Sequence, residues 1–137
     1  MKIDNKNNIS VILSLVSGIV IKFSQYLLWY LLEYLKPQDL SPSLFIIFPY
    51  ITDSLLFFIF SIILGKKYPK NILNIPAGMV IGSTLATVIM IVTLKPQSLM
   101  SAIPFTLDFY LLIPTLIICC IGYAIGEKIS QKDTTQI

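Results

Sequence analysis

The chain has 137 residues, 55% of them hydrophobic and 12% charged, with a mean hydropathy of +0.82. A chain this short leaves much of its surface in contact with its surroundings, so this composition excludes an ordinary water-soluble domain and calls for lipid as the solvent. The net charge of +3 needs no nucleic acid to explain it, because the lysines that produce it are distributed as an insertion signal.

Four apolar stretches, 9–34, 44–64, 75–94 and 103–125, are long enough to cross a hydrocarbon core of about 30 Å at about 1.5 Å per residue. The first is expected to stay in the mature protein, because it is longer than a signal-peptide core and no Ala-x-Ala-like site follows it. Ser10, Ser14, Ser17, Gly18, Lys22 and Gln25 recur along it at steps of three and four, which places them on one helical face. Serines there can bond their own preceding carbonyls, whereas Lys22 and Gln25 cannot be satisfied that cheaply in lipid. Trp29, Tyr30 and Tyr34 beyond them form an aromatic belt at the outer interface.

A Lys-Pro-Gln turn follows (Lys36 to Gln38), and Gly65 with Pro69 marks the inner turn after the second stretch. The third stretch opens near Pro76 and carries Gly78, Gly82 and Ala86 at four-residue steps, a ridge that admits a neighbouring backbone. Gly122 and Gly126 repeat the spacing in the fourth, where Pro114 predicts a kink. These small residues, with Gly18, are read as intramolecular packing positions, the alternative being a dimer seam. Cys119 and Cys120 are adjacent, poorly placed for a mutual disulfide, and are read as packing residues.

Three blocks recur in order: 17–21 at 77–81, Leu35-Lys36-Pro37-Gln38 at 94–97, and Pro49 to Asp53 at Pro104 to Asp108. The expected fold is therefore an all-α integral membrane protein, one domain over 1–137, with four transmembrane helices arranged as two tandem hairpins at about 9–67 and 73–128. Since both copies start on the same side, a pseudo-two-fold axis along the membrane normal is expected between them. Lys2, Lys6, Lys66, Lys67, Lys70, Lys128 and Lys132 fall on one side and only Lys36 and Lys95 on the other. This bias predicts insertion in the cell membrane with both termini cytoplasmic.

The intramembrane charges carry the functional reading. Lys22 and Asp53 lie at similar depth on adjacent helices, which predicts an ion pair facing the bundle interior. Asp108 is the repeat partner of Asp53, but Gly82 stands where the first copy has Lys22. Asp108 is accordingly expected to be reached by water, to share Lys22, to bind a cation, or to hold a proton. Of these two acids it is the one expected to be protonation-sensitive. Lys22, Asp53, Asp108 and Gln25 are the candidate transport or ion-binding residues.

Catalytic chemistry is not expected. The chain has no His and no Arg, its two Cys are adjacent, and it lacks phosphate-loop, HExxH and GxSxG patterns, so no metal centre or cofactor is anticipated. The stretch from Gly18 to Ser24 resembles part of the first helix of small multidrug-resistance transporters. That family places a glutamate eight residues before the lysine, where this chain has Ser14, and the likeness covers seven residues only. No membership follows from it. The expected function is transporter- or channel-like movement of a cation, proton or small solute. The alternative is a non-catalytic accessory subunit, assembly factor or scaffold of a larger membrane complex. The expected partners are the lipid bilayer and a second copy or other membrane subunits, with no nucleic acid.

Overall fold

A computed structural model of the chain describes residues 5–35, 41–95 and 99–136. Lys2 and the turn residues Lys36, Pro37, Gln38, Pro96 and Gln97 lie outside them. Everything regular among the described residues is helix: α1 (Asn5–Leu35), α2 (Pro42–Lys67), α3 (Asn74–Leu94), α4 (Leu99–Tyr110) and α5 (Leu112–Thr135). Four of these, α1, α2, α3 and α5, are long and apolar enough to cross a membrane.

Local chemistry explains the helix boundaries. Ser41 caps α2 by accepting the Leu44 N–H at 3.4 Å, and Pro42 takes the first helical position, where a missing N–H costs nothing. Gly65 does not end α2 as the sequence suggested. The helix runs on to Lys67, and Gly65 instead lies against the Tyr123 carbonyl of α5. The chain then turns at Tyr68-Pro69-Lys70, with Lys70 at φ 70° supplying the left-handed residue that such a turn needs. Buried Tyr123 fastens this turn: its hydroxyl donates to the Tyr68 carbonyl at 2.6 Å and accepts the Asn71 N–H at 2.7 Å.

The fourth apolar run is interrupted at Leu111, with α4 before it and α5 after it. Pro114, in the first turn of α5, has no N–H for the Tyr110 carbonyl, and the helix break lies just before it, at Leu111, where a kink was expected from Pro114. Hydrogen bonding nevertheless spans the joint, from Leu111 N–H to Leu107 O and from Thr115 N–H to Leu111 O, both at 2.9 Å.

The most extensive seams join α1 to α3 and α2 to α5, while α1–α2 and α3–α5 are smaller. A two-fold axis running along the bundle would set α1 and α3 at opposite corners. Instead the first helix of one hairpin lies beside the first helix of the other, and among the described residues α1 and α5 form no seam. The expected pseudo-two-fold arrangement is therefore not the one adopted. The small residues give the reason. A Cβ on Gly18 would run into the Met79 carbonyl, one on Gly82 into the Leu15 carbonyl, and one on Gly78 into the Ser14 side chain. Gly122 meets Phe58 and Ser61, and Gly126 meets Ile62 and Lys66, along the α2–α5 seam. Ala86 is fully buried. The register also differs from the repeat alignment, because Gly78 lies level with Ser14 rather than with Gly18, a displacement of about one helical turn.

Outward faces are apolar, and the interior holds polar side chains as well as an apolar core. Val16, Val20, Leu27, Ile51, Leu55, Ile59, Ile81 and Ile121 are exposed, while Ser10, Ser14, Ser61, Ser83, Thr87, Lys22, Gln25, Asp53 and Asp108 are buried. The apolar core proper, with Ile21, Phe57, Leu64, Ile75, Met79, Cys119 and Tyr123, occupies the half of the bundle nearer the lysine-rich turn. Both cysteines are free thiols, Cys119 being part of that core.

Candidate functional site

Lys22 is the centre of a buried polar cluster. Its ammonium has three N–H donors, and each meets an acceptor: Gln25 Oε1 at 2.6 Å, Asp53 Oδ2 at 3.0 Å and Asp108 Oδ1 at 3.1 Å. Gln25 lies three residues on along α1, on the same face, so one helix supplies both the cation and an orienting amide. The side chains of Lys22, Asp53 and Asp108 keep only 7%, 6% and 4% of their accessibility, so no bulk water screens these charges. All four candidate residues are thus brought together. Of the possibilities for Asp108, the one adopted is a share of Lys22.

Both aspartates sit four residues after a proline, Pro49 in α2 and Pro104 in α4. The two helices converge on α1 and are tied to each other by the Tyr50 hydroxyl, which donates to the Pro104 carbonyl at 2.8 Å.

The two carboxylates are not equivalently satisfied. Asp108 Oδ2 accepts a hydrogen bond from the Tyr26 hydroxyl, and the Thr87 hydroxyl stands 3.4 Å from the same oxygen. Tyr26 is four residues beyond Lys22 and packs its ring against Phe105, with centroids 5.5 Å apart, which holds the phenol in place. Asp53 has no such support. Its Oδ1 is buried and has no hydrogen-bond partner. The expectation that Asp108 would be the unsupported acid is reversed: Gly82 does leave Asp108 without a lysine from α3, but Tyr26 and Thr87 supply hydroxyls in its place.

The cluster carries one positive and two negative charges, and among the described residues no other ammonium pairs with either acid. One negative charge is left over in a low-dielectric setting, and one carboxylate oxygen has no donor. The cluster borders a cavity of about 30 Å³, lined by Lys22, Asp53 and Asp108 and by the hydroxyl residues Tyr50, Ser54, Ser83, Thr87 and Thr115. That volume holds a water molecule or a single ion. Among the described residues there is no group of three or more His, Cys, Asp or Glu that could hold a metal ion.

Tyr26, Thr87 and Tyr50 were missed in the sequence. Tyr26 stood at i+4 from Lys22, on the face already singled out, and Thr87 follows Ser83 by one turn beside the small-residue ridge. Compared with protein-family models, with curated proteins and with solved structures, the chain has no match.

Proposed function

We propose that this chain is an integral protein of the cell membrane, with both termini and the Lys66–Lys70 turn in the cytoplasm. In this reading the Lys22–Asp53–Asp108 cluster is a cation- or proton-binding centre of a transporter- or channel-like protein. Insertion is supported by the inside-out distribution of polarity and by the four long apolar helices. Orientation is supported by the lysine bias.

The observation that carries the functional reading is the unbalanced charge: a buried oxygen of Asp53 without a partner, in a cluster holding one more carboxylate than ammonium. A buried charge of this kind is costly in a bilayer, and a proton or a cation entering from water neutralises it. Cavity size favours an ion over a larger solute. Purified protein in liposomes is expected to pass protons or alkali cations down an imposed gradient, and Asp53→Asn is expected to abolish that flux.

A second reading has its own support. Lys22 spends all three donors inside the chain, and the glycine seams hold the helices at backbone contact, which suits a rigid accessory subunit or scaffold. Absence of flux, together with unaltered behaviour of Asp53→Asn in any ion or pH titration, would favour it.

A further inference from the structure

We infer that Asp53, with the hydroxyls of Ser54 and Thr115, forms a binding site for one small monovalent metal cation, at the place where α2 meets the α4–α5 joint. This rests on the ion-binding reading above and names its ligand. Three features converge. Asp53 is buried, its Oδ1 has no partner, and it lines the cavity together with Ser54 on its own helix and Thr115 on α5. The chemistry of the cavity is a carboxylate and several hydroxyls with no thiolate and no imidazole, which suits a hard cation and not a transition metal.

Charge selects the valence. The cluster holds a single uncompensated negative charge, so a monovalent ion brings it to neutrality. A divalent ion would leave one positive charge in excess beside the Lys22 ammonium, which repels it. Volume selects the size, since about 30 Å³ leaves room for one bare or singly hydrated ion. The ligands also explain the asymmetry between the acids. Tyr26 and Thr87 occupy Asp108 from the α1–α3 side, so Asp53 is the acid with a buried second oxygen that no protein donor satisfies.

Lys22 does not block such a site. It bonds Asp53 through Oδ2 and leaves Oδ1 for the ion, so ammonium and metal can share one carboxylate without competing for the same oxygen. Asp53 then bridges the two cations, and Asp108 balances the second charge.

The test is the thermal stability of the purified full chain in detergent or nanodiscs, with sodium or potassium titrated against choline at constant ionic strength and at several pH values. Wild type is expected to show a saturable rise in melting temperature with sodium or potassium, and none with choline. Thr115→Val, which keeps the shape and removes the hydroxyl, is expected to raise the half-saturating concentration about tenfold, with Ser54→Ala acting in the same direction. Asp53→Asn, which is neutral without an ion, is expected to lose the response while remaining folded. Should Asp53→Asn fail to fold, the Thr115→Val and Ser54→Ala shifts decide the matter. A melting temperature that responds to pH through Asp53 but to neither metal would overturn the metal site and leave the proton-binding reading standing. A chain whose stability follows neither metal nor pH through Asp53 would overturn both.

Discussion

The Tyr26 hydroxyl donates a hydrogen bond to Asp108 Oδ2, across 82 positions of sequence, while Lys22, one turn earlier on the same helix, holds Asp108 Oδ1. A single helical face thus grips both oxygens of one carboxylate. Asp53 receives only the lysine.

Tyr26→Phe removes the donor and keeps the ring that packs on Phe105. With only the 3.4 Å Thr87 contact left at Oδ2, the expected loss is roughly 1–2 kcal/mol of stability. Thr87→Val is expected to cost less. Denaturant titration of both variants in detergent checks the ranking.

Replacements at the three charges should be unequal. Lys22→Met leaves two buried carboxylates facing each other and is expected to be the most damaging, at about 3–5 kcal/mol. Asp53→Asn removes the surplus charge and should be nearly neutral or stabilising, while Asp108→Asn replaces one of two supported acceptor oxygens by an amide donor and should fall between. Monodisperse yield on size exclusion, measured for the singles and for the triple Lys22→Met/Asp53→Asn/Asp108→Asn, provides the test. Recovery in the triple variant is the expected signature of a closed ion cluster.

Gly→Ala in a helix ordinarily stabilises by about 1 kcal/mol. At Gly18, Gly82 and Gly126 the sign should reverse, because the added methyl would meet a backbone carbonyl of the facing helix, which cannot turn aside. The expected cost is about 1–3 kcal/mol each. Gly122→Ala should be milder, since its nearest neighbour, the Phe58 carbonyl, stands at 2.8 Å. Thermal melts of the four alanine variants rank the contacts.

Tyr123→Phe should loosen the turn at Tyr68–Asn71, which loses both its bonds to the phenol, but should leave the ring packed in the core. Limited trypsin digestion is the readout, with cleavage at Lys66, Lys67 or Lys70 accelerating severalfold. An unchanged digestion rate would show that Glu127, which accepts the Lys70 N–H at 2.9 Å, is sufficient to hold the turn.

Orientation is checked by single cysteines in a background without Cys119 and Cys120. A cysteine at Ser41 is expected to react with an impermeant reagent on intact cells, and one at Thr134 only after permeabilisation.

Hydropathy alone located the first three long helices, but the fourth run, 103–125, is divided at Leu111 between α4 and α5, and the long helix there is Leu112–Thr135. Depth arithmetic was enough to pair Lys22 with Asp53, since two opposite charges at one level of adjacent helices have few other ways to be satisfied. The assignment of roles to the two acids was not legible. It depends on Tyr26 and Thr87, and neither a tyrosine in an aromatic-rich helix nor a threonine in a small-residue ridge announces a carboxylate partner. The side-by-side placement of the hairpins was equally hidden. The recurring sequence blocks do not say which helix faces meet; that is decided by where Gly18, Gly78, Gly82, Gly122 and Gly126 permit contact.

Those glycine contacts have a mechanical consequence. α1 with α3, and α2 with α5, touch at the level of the backbone, and surfaces that interlock so closely resist sliding and rotation. Each pair behaves as a plank. Lys22, reaching from one plank to Asp53 on the other, is the latch that closes the joint between them, and Asp108 meets it from α4, which belongs to neither plank. A change of charge at Asp53 therefore acts on the joint between the planks and leaves the fit within each one untouched.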